Sequence, residues 1–256
     1  MGLLRNIRIW TQKCLLDRGF LLERINRTQV IPTVIAAPEL YRRPDDYSRL
    51  LKPWHDPAYS DVFTDEVTSN TMLSRMKLYY LHRFITQVRD LPGDVFEAGT
   101  GSGGSSRLLL NAVKKQSQHR EMWLLDTFEG YQKVDAVRDG AHVQVNQCRC
   151  ASFEDVHRLL QEPTVPVHLI KGLIPATLDE VKAVTFAFAH IDVNLHEPTL
   201  AAFEFCLQRL VLGGIIVFDD YGWPATYGAR CAIDEVATKH GQNIIYLGEQ
   251  AFLIKR

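Results

Sequence analysis

No stretch of the 256-residue sequence is apolar for long enough to span a bilayer. Neither sign of charge is in excess: 29 Lys and Arg stand against 30 Asp and Glu, a formal net charge of −1. Nucleic-acid binding usually leaves a basic footprint, so this balance predicts no nucleic-acid partner. Cysteine is scarce. Cys14, Cys148, Cys150, Cys206 and Cys231 form an odd, scattered set, which points to a reducing compartment and not to a disulfide framework. Cys148-x-Cys150 is tighter than common zinc spacing and lacks a matching second pair, so these thiols read as structurally incidental. Residues Met1–Trp10 carry Arg5 and Arg8 inside their apolar part and no small-residue cleavage site. That predicts no secretory leader and a cytoplasmic protein. There is no internal repeat and no low-complexity tract.

What is present is organised around one stretch, Leu91-Pro-Gly-Asp-Val-Phe-Glu-Ala-Gly-Thr-Gly-Ser-Gly-Gly-Ser-Ser106. Asp94–Ala98 reads as a buried strand, Gly99–Gly104 as a tight turn, and Arg107–Val113 as the helix that follows, with its first turn from Ser105. Glycines let backbone approach a ligand closely, and the free amides of a helix N-terminus face it. Gly99-x-Gly101-x-x-Gly104 fits the dinucleotide fingerprint. It fits equally the loop that holds S-adenosylmethionine in Rossmann-like methyltransferases. Glu97 favours the second reading, because a carboxylate suits the positively charged amino-acid moiety of S-adenosylmethionine and repels a pyrophosphate. A plain strand–turn–helix with a loose glycine loop ranks third.

Upstream of this stretch, residues 1–68 read as an extension and residues 69–256 as the main domain. Leu3–Ile25 has helical spacing with basic residues between apolar ones. An amphipathic helix of this kind packs on its own domain, on a partner subunit, or on a membrane surface. Asn26–Phe63 is broken by Pro32, Pro38, Pro44, Pro53 and Pro57 into an irregular arm. Ser69–Ile85 reads as a helix with Met72, Met76, Tyr79 or Tyr80, and Ile85 on its apolar face, capped by Ser69 or Thr71.

From Asp94 onward strands and helices alternate. The predicted strands are Asp94–Ala98, Glu121–Leu125, Val167–Ile170, Phe186–Ile191, Ile215–Phe218, Asn243–Leu247 and Ala251–Ile254. Helices are predicted over Thr199–Leu210 and Gly228–His240. Alternation implies an α/β fold with a parallel sheet covered on both faces. The last two strands are joined by Gly248-Glu-Gln alone, which is hairpin length, so they are antiparallel. A mostly parallel seven-stranded sheet ending in an antiparallel hairpin fits a class I methyltransferase better than a nicotinamide dehydrogenase.

Ligands of open α/β sheets bind beyond the carboxyl ends of the strands. Asp126 ends the second strand, where an acid accepts hydrogen bonds from ribose hydroxyls of either cofactor. The fourth strand runs into His190-Ile-Asp-Val-Asn-Leu-His-Glu-Pro198 and the fifth into Val217-Phe-Asp-Asp-Tyr-Gly-Trp223. Asp192, Asp219 and Asp220 then crowd together, and crowded carboxylates need protons or a cation. Mg²⁺ is the simplest neutraliser, with Asn194 as a further oxygen donor or an orienter of bound water. The plainer alternative has one Asp binding cofactor, one capping a helix and one in solvent.

These motifs resemble the macrocin O-methyltransferase family, whose metal-dependent members methylate sugar hydroxyls. The matching segments are Leu91–Gly99, Leu125–Gly130, His190–Val193 with Glu197–Thr199, Gly213–Gly222 and Gly228–Glu235. The resemblance implies a Mg²⁺ site at Asp192, Asp219 and Asp220. It implies S-adenosylmethionine contacts at Glu97, Gly99, Gly101, Ser105 and Asp126, with Thr71 and Met72 closing over the cofactor. It also implies a glycoside-type acceptor and a homo-oligomer. Relatives often place Asp, the proposed base, where this chain has Asn194, and an amide takes no proton at neutral pH. His142, His196 or Asp192 itself then stands as the candidate base. Each histidine also fits an ordinary surface role. The rival functions are a catechol-type methyltransferase, a nicotinamide dehydrogenase and a non-catalytic S-adenosylmethionine-binding protein.

Overall fold

The computed structural model describes Tyr59 and residues 62–256. The chain divides into units of residues 1–60 and 61–256, and the described strands all belong to the second. The expected helix over Leu3–Ile25 lies outside the described residues, as does the expected proline-rich arm apart from Tyr59, Val62 and Phe63. With that helix go the expectations of a membrane or subunit contact through it.

The short helix α1 (Asp65–Thr68) opens on Thr64, whose hydroxyl accepts from the Val67 amide, and carries Asp65 and Glu66 in its first turn. Helix α2 (Arg75–Gln87) starts at a different cap from those expected: Ser74 accepts from the Lys77 amide. Thr71 caps nothing in α2, since its hydroxyl accepts from Leu73 in the link before the helix. The buried stripe is Leu78, Leu81 and Ile85, and Met72 is 84% exposed. The link between α1 and α2 is not helical, and its Asn70 carbonyl accepts from the Gly104 amide.

The sheet has seven strands, β1 (Asp94–Ala98), β2 (Met122–Asp126), β3 (Val167–Lys171), β4 (Phe186–Ile191), β5 (Leu210–Phe218), β6 (Ile245–Tyr246) and β7 (Ala251–Ile254). Their order is β3-β2-β1-β4-β5-β7-β6. All pairings are parallel except those of β7 with β5 and β6. The antiparallel β7 therefore sits between β5 and β6, as the short Gly248 link requires, and not as in the dinucleotide-binding order. Strand β5 begins five residues before the expected Ile215, because Leu210 pairs with Phe186 ahead of an irregularity in the ladder. Gly213, at φ +79, absorbs the bend there. Strand β6 is shorter than expected: Ile245 and Tyr246 are its only residues, both exposed at the sheet edge.

Helices α3 (Gly104–Val113), α5 (His196–Arg209) and α6 (Tyr227–Lys239) match expected helices with starts one to three residues earlier. In α5 the early start is compatible with Pro198, which lies in the first turn where its missing N–H costs nothing. Helix α4 (Phe153–Leu159), capped by Ser152, lies between β2 and β3, where the strand–helix alternation places a helix. Phe96, Phe186, Phe188, Phe203 and Phe218 are fully buried between sheet and helices. Each contributes about 1.5–3 kcal/mol on burial.

One buried polar residue fastens the entry to β1. Arg120, 2% exposed, donates to the carbonyls of Val88, Arg89, Leu91 and Gly93 and to the Gln116 side chain. It closes the α2–β1 link onto the sheet.

Candidate active site

The carboxyl ends of β1, β2, β4 and β5 open into one cleft of about 1310 Å³. Gly99 and Gly101 line it with φ values of +90 and +56. A Cβ on Gly99 would lie 1.7 Å from the Asp192 carbonyl oxygen, so the turn presses β1 directly against the end of β4. Gly101 donates its amide to Asp126 Oδ2 at 2.8 Å, and Phe128 donates to Oδ1 at 2.8 Å. The last residue of β2 is thereby held rigidly beside the glycine turn. Ser105 and Thr100 are buried in the same wall, and the Thr100 hydroxyl has no partner among the described residues. Thr71 and Met72 line the cleft from the α1–α2 link.

Across the cleft, Asp219 and Asp220 are buried and Asp192 is half-buried. Asp219 Oδ2 is 2.5 Å from Lys77 Nζ, and its Oδ1 accepts from Gln250 Nε2 at 2.8 Å. Asp220 Oδ2 accepts from the Asn194 amide at 2.8 Å. Asn194 itself takes a left-handed conformation, φ +62, which Asn tolerates better than most residues. Burial first, then the charges of Asp219 and Asp220, push the Asp192 carboxyl well above the usual range. Burial and Asp219 push Asp220 up to about 7, against the pull of the Asn194 amide. For Lys77, burial opposes the charge, but Asp219, Asp192 and Asp220 outweigh it and raise its pKa.

The structure separates the other expected site residues from this cleft. Glu97 is fully buried behind the wall: Ser106 donates to its Oε2, and His190 Nδ1 lies 2.8 Å from its Oε1. It does not line the cleft, because Ser106 and His190 take both carboxylate oxygens inside the core. His142 is exposed, with Nε2 3.0 Å from the Ala225 carbonyl, and is not among the cleft residues. His196 is buried on the far side of α5, its amide on Asp139 and its ring facing Arg138 and Glu235. Neither histidine is placed to take a proton in the cleft.

Sequence reasoning missed Lys77, Thr100, Gln250 and His190. His190 had a signal: it stands near the end of β4, two residues before Asp192, and strand alternation carried one residue past Ile191 puts both side chains on one face. Lys77 and Gln250 reach Asp219 from remote parts of the chain and left none. The cleft also has aromatic walls, Tyr131 and the 63%-exposed Trp223.

The macrocin-O-methyltransferase (TylF) family model matches residues 60–244. The chain belongs to this family. The match covers every strand from β1 to β5 and the cleft residues up to Pro224. An enzyme of Streptomyces olivaceus, 8-demethyl-8-(2,3-dimethoxy-alpha-L-rhamnosyl)-tetracenomycin-C 4'-O-methyltransferase, is 30% identical over 165 residues, 59% of this chain and 60% of its own length. Mycinamicin III 3''-O-methyltransferase of Micromonospora griseorubida is 26% identical over 189 residues, 68% of this chain and 72% of its own. The O-methyltransferase NovP superposes with a TM-score of 0.65 at 23% identity, covering 73% of this chain and 82% of its own. The fold is therefore that of the class I methyltransferases. Among the described residues, no helix is long and apolar enough to cross a membrane.

Proposed function

We propose that the protein is an S-adenosylmethionine-dependent O-methyltransferase that acts on a sugar hydroxyl of a glycosylated small molecule, with a divalent cation such as Mg²⁺ in its acidic wall. The observation that carries this reading is the division of one cleft into a glycine–Asp126 wall and an acidic wall. The first fits the cofactor. Gly99 lets the turn close onto the Asp192 main chain, Gly101 keeps the backbone beside Asp126 bare of a side chain, Asp126 is oriented for a ribose diol, and the orphaned Thr100 hydroxyl offers a further polar contact. The second fits a cation, since it gathers hard oxygen donors with raised proton affinity.

Bound S-adenosylmethionine supplies a methyl group on a sulfonium, and a bound divalent cation lowers the pKa of a nearby hydroxyl. The chain's own work is alignment, since methyl transfer is an in-line displacement. Asp126 and the glycine turn fix one partner. Tyr131 and Trp223 offer flat apolar faces for a sugar ring on the opposite side. With His142 and His196 off the cleft, the acceptor's proton passes to Asp192. The two relatives, both methyltransferases of glycosylated products, support the substrate class.

The test is incubation of the full chain with S-adenosylmethionine, Mg²⁺ and a panel of rhamnosides, other glycosides and catechols, read by mass spectrometry. Addition of one methyl group to a glycoside supports the proposal. Methylation of catechols alone assigns the catechol-type reaction. Cofactor binding with no turnover on any acceptor favours a non-catalytic S-adenosylmethionine-binding protein, and activity gained in Asn194→Asp would trace that to Asn194.

A further inference from the structure

Residues 131–147 leave the cleft and return to it as one closed loop. The Tyr131 amide donates to the Gln147 carbonyl at 2.9 Å, and the Tyr131 carbonyl accepts from the Asn146 amide at 2.7 Å, so the two ends meet. Tyr131, Gln132 and Lys133 line the cleft at this neck. Beyond it the loop lies in water, and even Val137 is 93% exposed. The only buried residue of the loop is an acid, Asp139, 4% exposed.

A loop that leaves its valines in water and buries a carboxylate is not held by apolar packing. Burying an acid is costly unless it is paired, and here both oxygens have partners. Oδ1 accepts from the His196 amide at 2.7 Å, and Oδ2 accepts from the Asp135 amide at 2.9 Å. His196 opens α5, and Leu195 at the cap position makes no side-chain bond to the helix. Asp139 therefore brings to α5, from 57 residues away, the carboxylate that a helix N-terminus favours. Gly228 in α6 makes the room, since a Cβ there would lie 2.5 Å from Asp139 Oδ1. Two neighbours repeat the attachment. Lys133 Nζ lies 2.6 Å from Glu197 Oε2, and Arg138 Nη1 lies 3.4 Å from His196 Nδ1. Asp139, Lys133 and Arg138 thus all fasten the loop to the first turn of α5, directly after Asp192 and Asn194.

We propose that Asp139 is a positioning residue for the acceptor: it caps α5 from the loop and so fixes Tyr131, Gln132 and Lys133 beside the acidic wall. This rests on the reading above, in which Tyr131 faces the sugar, and it adds the residue that holds that face in place. The two bonds of Asp139 go to His196 and Asp135 and not to the glycine–Asp126 wall, so cofactor binding does not depend on it.

The experiment compares the unmutated full chain with Asp139→Ala and Gly228→Ala by hydrogen exchange, by calorimetry with S-adenosylmethionine and by methyl-transfer kinetics. Alanine is the better helix former, so Gly228→Ala acts on the loop by displacing Asp139 and not by weakening α6. In both variants the amides of residues 131–147 and of His196 should exchange about tenfold faster, while those of β1 to β5 keep their protection. Cofactor affinity should be unchanged. On a glycoside that the unmutated chain methylates, KM should rise about tenfold with kcat unchanged. Loop exchange that stays as slow as before, cofactor affinity that falls with the loosening, or a fall in kcat at constant KM overturns the assignment. If the unmutated chain methylates no acceptor, the proposed activity fails alone, and loop exchange with cofactor affinity still decides whether Asp139 holds the loop.

Discussion

Lys77 Nζ lies 2.5 Å from Asp219 Oδ2, and it also donates to the Asp219 main-chain carbonyl at 3.2 Å. A helix residue from the start of the domain thus carries the positive charge nearest to the acidic wall. The side chains of Lys77 and Asp219 are 15% and 5% exposed, so the pair is largely shielded from water. Breaking a buried pair from one side leaves an uncompensated charge, which costs about 3–5 kcal/mol. Lys77→Met should lower the thermal midpoint in EDTA and recover most of the loss in Mg²⁺, with a cation-induced shift larger than that of the unmutated protein. Equal shifts in the two proteins would show that Lys77 and the cation do not compete for Asp219.

The acids of this wall also set a pH dependence. The Asp220 pKa of about 7 in the folded chain exceeds the value of about 3.9 for an unfolded Asp. Between those values the folded state holds a proton that the unfolded state has released. Stability without a cation therefore falls as pH rises from about 4 to about 7, and levels off above. Asp192, raised in the same direction, adds to the slope. Because a cation replaces the protons, its stabilising effect grows over the same window. Thermal melts in EDTA and in saturating Mg²⁺, taken between about pH 5 and pH 8, should diverge as pH rises. Parallel curves would contradict the raised pKa values.

The two cleft glycines should respond differently to alanine. At Gly99 a Cβ would overlap the Asp192 carbonyl, a main-chain atom that cannot step aside. Gly99→Ala should therefore separate the ends of β1 and β4, abolish cofactor binding and lower stability sharply. At Gly101 the nearest atom to a Cβ is Cys150 Sγ at 3.8 Å, and the cost is mainly that of the left-handed backbone, about 1–2 kcal/mol. Gly101→Ala should fold and bind cofactor with modest weakening. Calorimetry on the two variants separates the cases, and equal behaviour would count against the close β1–β4 approach.

Arg120 tests the scaffold apart from the chemistry. It satisfies four main-chain carbonyls at the α2–β1 link and makes no contact with the cleft. Arg120→Met leaves those acceptors buried without donors, at about 1–3 kcal/mol each where water cannot reach them. Chemical denaturation should show a loss of several kcal/mol, while the cofactor affinity of the protein that remains folded is unchanged. A stability change below about 1 kcal/mol would mean that water replaces the guanidinium.

The sheet was legible in the sequence because strand–helix alternation and the short Gly248 link leave few alternatives. The cofactor wall was legible for the same reason, since Gly99, Gly101 and Asp126 are local signals at strand ends. What the sequence hid depends on tertiary placement. Glu97 sits next to the glycine turn in sequence, yet the pleat of β1 turns it inward to Ser106 and His190. His196 follows Asn194 by two residues, but the start of α5 rotates it toward α6. Lys77 meets Asp219 from 142 residues away, a contact that no local pattern announces.

Binding of S-adenosylmethionine through Asp126 and the glycine turn is the step on which the proposed activity depends. Calorimetric titration of the full chain and of Asp126→Ala measures it without intermediaries. Saturable binding to the unmutated chain, weakened by about tenfold or more in Asp126→Ala, is the predicted result, equivalent to at least about 1.4 kcal/mol. Absence of binding, or an affinity untouched by the substitution, would contradict this mode of cofactor recognition.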